Sequence, residues 1–374
     1  MLITNGNVFD GRGFATRDVA VADGRFAEAA DVGDGDVLDA AGCYVIPGLV
    51  DVHFHGCLGA DLCDGTGEAL STIARHEASR GVTAICPATM TYPEEKLAGI
   101  MRAAAAFAPT DDEAALVGVN MEGPFISPDK IGAQNPAYVQ VPDAAMLRRL
   151  QEAAGGLVKL VDIAPEEEGA LAFIDEMADE VRISLAHTTA DYDCTRAAFE
   201  HGARQLTHLY NAMPPLHHRK PGPIPAAFER DDVTAELIAD GVHIHPAMVR
   251  MAFRLFGDDR MVLISDSMRA TGLEDGVYDL GGQDVTVRGN LATLADGTIA
   301  GSATDLAACL RWAVREADIP LESAVKAATA NPARAIGVDA ERGAIEPGKV
   351  ADAVLLDAET LDVRHVVLRG RLLA

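Results

Sequence analysis

Positive charge is scarce in this chain. Its 374 residues carry 31 lysines and arginines against 57 aspartates and glutamates, a formal net charge of −26. Such a surface repels phosphate backbones and anionic bilayers, so neither nucleic acid nor a membrane is expected as a partner. Long apolar runs are also missing. No stretch of about 18 uncharged apolar residues exists, which excludes a transmembrane helix. The opening Met1-Leu-Ile-Thr-Asn-Gly has no basic region followed by an apolar core, so no signal peptide is expected. The six cysteines (Cys43, Cys57, Cys63, Cys86, Cys194, Cys309) form no Cys-x-x-Cys pair. Free thiols in a reducing cytoplasm are the expectation. There is no internal repeat, and no low-complexity segment beyond alanine-rich helices.

What is present is apolar mass. Hydrophobic residues make up 49% of the chain, enough for one large domain or a large one with a small companion. Short β-prone runs alternate with helical patterns. The expected strands are Leu49–His53, Thr83–Pro87, Leu116–Met121, Val158–Ile163, Ile183–Ala186, Gln205–Thr207, Ala235–Ala239 and Met261–Ser265. Helical patterns cover Glu68–Ser79, Glu94–Phe107, Ala144–Ala153, Ala170–Ala178, Cys194–Glu200 and Pro246–Leu255. This alternation implies an α/β fold with parallel pairing, and eight units over about 250 residues match a (β/α)8 TIM-like barrel.

The ends read differently. Leu2-Ile-Thr-Asn-Gly, Val19-Ala-Val-Ala-Asp-Gly and Asp36-Val-Leu-Asp-Ala are short strands with turns, as are Ala353-Val-Leu-Leu-Asp and His365-Val-Val-Leu-Arg-Gly. Residues 1–47 and 345–374 are expected to form a small β-sandwich domain from both chain ends, with 48–344 as the barrel. A further β-like stretch, Val277–Ala300, follows the eighth strand.

Pro47-Gly-Leu-Val-Asp-Val-His53-Phe-His55-Gly56 places two imidazoles two residues apart at the end of an apolar run. In an extended strand Asp51, His53 and His55 share one face, where two histidines can grip a divalent cation. Cys57 follows directly on this turn. Barrel active sites collect at the C-terminal strand ends. Strand three ends in Glu122, strand five in His187, strand six in His208 and strand eight in Asp266, while strand seven leads to Asp240 and His243. Ionisable groups beside buried strands are costly without partners, so this convergence points to a metal-centred catalytic site.

Segments 47–56, 121–136 (Met-Glu-Gly-Pro-Phe through Gln-Asn-Pro), 207–213 (Thr-His-Leu-Tyr-Asn-Ala-Met), 218–222, 240–243, 265–272 and 297–302 carry a resemblance that spans nearly the whole chain. The sequence resembles the amidohydrolase superfamily, within it the N-acetylglucosamine-6-phosphate deacetylase family. The resemblance implies hydrolysis of that acetamide by metal-activated water, in amino-sugar catabolism or cell-wall recycling. It implies one or two divalent ions per subunit, zinc first, with iron, cobalt, manganese or nickel as alternatives. Glu122, His187 and His208 would hold the primary ion, with His53 and His55 available for a second and Glu122 as a possible bridge. Many superfamily members bridge two ions with a carboxylated lysine at the end of strand four. Lys159 comes too early in that strand and reads as a solvated barrel lysine. Asp266 would act as general acid and base. The resemblance assigns substrate contacts to Ala133, Gln134, Asn211, Ala212, Arg219, His243, Ile299, Ala300 and Gly301. Arg219 would fork onto the phosphate, across a homodimer interface. A galactosamine epimer, or an acyl-amino-acid or cyclic-amide substrate, is the alternative.

Overall fold

Eight parallel strands close into a cylinder in the computed structural model, which describes residues 1–28 and 36–373. Strand one is Leu49–Asp51, strand two Val82–Ile85 and strand three Val119–Met121, with Ala115–Leu116 just before it. Strands four to eight are Val158–Ile163, Arg182–Leu185, Gln205–Leu206, Thr234–Ile238 and Met261–Ile264. One run of pairing joins strand one to two and two to Ala115–Leu116; another runs from strand three to strand eight. Backbone bonds seal both seams. Asn120 N donates to Pro87 O at 2.9 Å, and Asp266 N donates to His53 O at 3.0 Å. Strands seven and eight are buried at every position, which is why parallel barrel strands read as continuous apolar runs.

Two expectations are corrected. The expected strand Leu116–Met121 is split, its first part pairing with strand two and its second with strand four; Gly118 between them is closely approached, and a Cβ there would come within 2.5 Å of Lys159 Cγ and 2.9 Å of Cys86 Sγ. Strand one stops at Asp51, so His53 and His55 sit on irregular backbone beyond it, and Asp51 turns instead to the Ser265 hydroxyl, which donates to it at 2.6 Å.

Helices wrap the strands. Gly67–Ser79 is capped by Thr66, whose hydroxyl accepts from Ala69 N, and it buries Ala69, Leu70, Ile73, Ala74, Glu77 and Ala78. That is an apolar stripe at helical spacing, interrupted by one carboxylate. Asp143 caps Ala144–Ala153 in the same way, and Asp305 caps Leu306–Arg315. Leu306–Arg315, Leu321–Ala328, Ala330–Ala335 and Pro223–Phe228 add to the expected helices.

Both chain ends build two small sheets. Leu2–Thr4, Val19–Ala22, Arg25–Ala27 and Val37–Asp39 form one; Asn7–Phe9, Phe14–Thr16, Cys43–Pro47, Ala353–Asp357, Val363–Leu368 and Arg371–Leu372 form the other. They share a core of Ile3, Val8, Val21, Phe26, Val45, Leu355 and Val367, joined by Ile345 and Ala351. This packing supports the proposed boundaries of 1–47 with 345–374 and 48–344. Residues 29–35 and 374 of that division lie outside the described residues. After strand eight, Gly276–Leu280, Gln283–Arg288 and Leu291–Thr293 form an antiparallel flap. Its Gln283 Nε2 donates to Ala133 O at 2.6 Å, pinning the flap against the loop after strand three.

Candidate active site

Three of the strand-end residues share an unusual backbone. His187 (φ 43°), His208 (φ 30°) and Asp266 (φ 49°) are left-handed, each two residues beyond the end of its strand. Non-glycine residues reach this region at a cost of about 1 kcal/mol or more, and such strain gathers at functional sites. Here it turns each side chain from the barrel wall toward the mouth.

Four imidazoles meet one carboxylate. His187 Nε2 lies 3.1 Å from Glu122 Oε1, with His53 Nε2 and His208 Nε2 both at 3.4 Å; His55 Nε2 lies 3.4 Å from Glu122 Oε2. Each ring's other nitrogen faces an acceptor. His187 Nδ1 meets Lys130 O at 2.9 Å, His208 Nδ1 meets Asn211 O at 3.2 Å, His55 Nδ1 meets Ala88 O at 3.3 Å and His53 Nδ1 meets Glu236 Oε2 at 3.0 Å. Donation at Nδ1 leaves Nε2 as a free lone pair, the tautomer a metal ligand needs. Asp266 Oδ1 lies 3.3 Å from His55 Nε2.

The chemistry of this donor set fits a divalent transition metal. Glu122, His187 and His208 form one group of donors that one ion could span; His53, His55 and Asp266 form another, and His53, Glu122 and Asp162 a third. His53 Nε2 is buried with no hydrogen-bond partner, as is one oxygen of Asp162. Buried polar atoms are rarely left so, and a cation between them would satisfy both.

The carboxylates and imidazoles of the cluster also answer one another's charge. Burial pushes the Glu122 carboxyl up, but the His53 imidazole and the close approach of His187 and His208 outweigh it and hold it well below the ordinary range. Burial pulls His53 down, yet Glu122 and Glu236 carry it well above an ordinary histidine. Asp162 is pushed up to about 8, chiefly by burial. Burial likewise opposes Asp266, whose partner His55 nevertheless holds it below its ordinary value.

A cleft of about 460 Å³ opens above this cluster. His55, Glu122, His187, His208 and Asp266 form its floor, and Ala133, Gln134, Asn211, Ala212, His243, Ile299 and Gly301 line its walls with Lys130 and Leu280. Three of the expected contact residues have settings of their own. Gln134 is nearly buried; its Nε2 donates to Glu122 Oε2 at 2.7 Å and its Oε1 accepts from Thr91 N at 2.7 Å, so it clamps the central carboxylate. Ala300 is 1% exposed and packs into the core, with its N–H bound to Ala292 O. Arg219 lies outside the cleft, on an exposed loop where it borders a separate groove with Thr189, Tyr192 and Lys220. Lys159 lines another groove with Arg182 and Arg204, away from the cleft. Cys57 is buried and does not line the cleft.

Asp162, Glu236 and Lys130 escaped the sequence reading. Asp162 and Glu236 are the carboxylates inside the apolar runs Val-Lys-Leu-Val-Asp-Ile and Thr-Ala-Glu-Leu-Ile, and a charge within a barrel strand was the available signal.

The chain belongs to the amidohydrolase family, whose metal-dependent hydrolases it matches over residues 44–373. Within that family it is similar to deacetylases of amino-sugar phosphates. It is 36% identical over 342 residues to N-acetylglucosamine-6-phosphate deacetylase of Bacillus subtilis, covering 90% of this chain and 86% of that one. It is 36% identical over 328 residues to N-acetylgalactosamine-6-phosphate deacetylase of Escherichia coli O157:H7, covering 87% and 86%. Among solved structures, a point mutant of N-acetyl-D-glucosamine-6-phosphate deacetylase from Mycobacterium smegmatis, in complex with N-acetyl-D-glucosamine-6-phosphate, superposes with a TM-score of 0.92 at 35% identity, over 100% of this chain and 99% of that one.

Proposed function

We propose that this chain hydrolyses N-acetyl-D-glucosamine 6-phosphate to D-glucosamine 6-phosphate and acetate, as a cytoplasmic homodimer in amino-sugar catabolism or cell-wall recycling. The observation that carries the reading is the floor of the cleft: four imidazoles presented to Glu122, with Asp266 at their edge. Zinc is the proposed ion, at Glu122, His187 and His208, with room for a second at His53 and His55; iron, cobalt, manganese and nickel suit the same donors. When bound, such an ion polarises a carbonyl and lowers the pKa of water towards about 7.

The chain's own residues do the rest. Asp266 takes a proton from the attacking water and returns it to the departing nitrogen, so that an amine rather than an amide anion leaves. His243 lines the cleft with Nδ1 2.7 Å from Asp240 Oδ2. Burial lowers its pKa, but Asp240 outweighs burial and holds it above the ordinary value. His243 is therefore oriented, and inclined to carry charge toward an anionic substrate. The phosphate falls to Asn211 and the amide of Ala212, which follow directly on His208.

A protein of net charge −26 needs local cations to hold a phosphate. Lys130 is the one lysine or arginine among the described residues that line the cleft. Arg219 would reach a cleft from a second subunit, and the exposed Leu216 beside it suits such an interface. Losing a charge-assisted hydrogen bond costs about 1.5–3 kcal/mol. Arg219→Ala and Lys130→Met should each lower kcat/KM for the 6-phosphate by roughly ten- to a hundredfold, at about 1.4 kcal/mol per decade. The unphosphorylated N-acetyl sugar should be poor throughout and indifferent to both changes. Equal wild-type rates on the two sugars would end the sugar-phosphate assignment.

The Escherichia coli relative favours one second reading, the galactosamine epimer. The two substrates differ at one hydroxyl, and deacetylation rates on both phosphates decide between them.

A further inference from the structure

A second cluster of ligand-type side chains lies under the turn that follows the first two histidines. Gly56–Cys57 pairs with Ala60–Asp61 as a tight hairpin, and the hairpin packs on helix Gly67–Ser79. Cys57 points toward that helix, which presents His76 and Glu77. One donor atom from each of the three lies within 4.8 Å of the others. Cys57 is fully buried and Glu77 is 1% exposed.

The cluster is unsatisfied. Both carboxylate oxygens of Glu77 and Nε2 of His76 are buried with no hydrogen-bond partner. Burial pushes the Glu77 carboxyl well above its ordinary range, which relieves its charge, but the neutral acid still has no hydrogen-bond partner for either oxygen. The charges around it make matters worse: the buried carboxylates of Asp51 and Asp305 are its neighbours. Arg80 is the nearby cation, but its Nε is committed to Asp305 at 2.8 Å. A buried carboxylate is costly without a counter-charge, and this one occupies a helix face that is otherwise alanine, leucine and isoleucine.

We propose that Cys57, His76 and Glu77 bind a divalent transition-metal ion of the zinc class, at a site separate from the catalytic cluster. One thiolate, one imidazole and one carboxylate form a mixed sulfur, nitrogen and oxygen set that suits such an ion, with water completing a tetrahedron. Donors around a tetrahedral zinc lie about 3.5 Å apart, so modest side-chain rotation closes the site. On binding, the Cys57 thiol releases its proton to solvent. The ion neutralises Glu77 and fastens the hairpin to the helix. That hairpin directly follows His53 and His55, so the ion would act as a staple for catalytic backbone and take no part in the reaction.

Cobalt reports on the site, because thiolate ligation gives a near-ultraviolet charge-transfer band that nitrogen and oxygen donors do not. The catalytic cluster contains no cysteine, so its cobalt is silent in that band. Full-length protein stripped with chelator and reloaded with Co2+ should show the band, and elemental analysis should find one equivalent more than the catalytic cluster holds. Cys57→Ser should lose the band and that equivalent while retaining deacetylase turnover. Glu77→Gln keeps volume and thiol, and should move the band to higher Co2+ concentration. If Cys57→Ser does not fold, the Glu77→Gln titration decides alone, and an unshifted titration overturns the proposal. Absence of the band from cobalt-loaded wild type, or its survival in folded Cys57→Ser, also overturns it. Either result leaves the catalytic reading standing, since that reading is lost only with metal-dependent activity.

Discussion

Asp266→Asn should give a folded protein that turns over about 10²- to 10⁴-fold more slowly, with KM little changed. The substitution suits the position. Asp266 sits in left-handed backbone at φ 49°, which asparagine tolerates better than other residues, so the seam bond from its N–H to His53 O should persist. What the amide cannot do is accept the water's proton and hand it to nitrogen. Metal content is the second readout, because Asp266 also lies with His53 and His55 in a group that one ion could span. Retained metal with collapsed kcat marks proton transfer. Loss of one equivalent would make Asp266 a ligand, and near wild-type kcat would remove it from the mechanism.

A larger loss should follow from Glu122→Gln or from stripping the metal. Every imidazole of the cluster lies within 3.4 Å of a Glu122 oxygen, and Gln134 Nε2 donates to the same carboxylate. A neutral amide removes the charge that gathers them, and its NH2 either faces the Gln134 donor or occupies the imidazole lone pairs that a metal would take. Lewis acidity contributes several kcal/mol to the transition state, so kcat/KM should fall about 10³-fold or more. Chelator-treated wild type should fall equally and recover on addition of zinc, cobalt or manganese. Metal is best counted in a Cys57→Ser background, where one or two equivalents should remain. Full activity in metal-free protein would overturn the mechanism.

The sequence reveals most where polar residues interrupt apolar runs. Strand Val158–Ile163 and helix Ala144–Ala153 have the expected bounds, the helix because Asp143 caps it and an apolar face carries it through. Glu122, His187, His208 and Asp266 were legible because a charge at the end of a buried strand has few reasons to be there other than chemistry. Contacts between distant residues were not. Nothing in Ala-Gln-Asn-Pro says that Gln134 turns inward to Glu122, and nothing in His-His-Arg-Lys says that Arg219 faces a different groove. Asp162 lies inside the apolar run Val158–Ile163, one residue short of its end, so it did not read as a strand-end group. Helices Leu321–Ala328 and Ala330–Ala335 are separated at Thr329, where φ is −133° and ψ −80°, so their periodicity never runs long enough to stand out.

The way the two chain ends share one sheet has a consequence for synthesis. Strand Cys43–Pro47 pairs with Asn7–Phe9 on one side and with Ala353–Asp357 on the other. On a ribosome, residues 43–47 emerge before the barrel, and their second partner emerges only after it. Through that interval the strand keeps an open edge, apolar at Val45 and Ile46, able to pair with a neighbouring nascent chain. The barrel therefore has to be threaded and closed while its companion domain stays half-built. Yield in a cell should accordingly depend on translation rate and holding chaperones more than on the stability of the finished fold. A C-terminal truncation ahead of Ala353 should aggregate even though every residue of the cleft is still present.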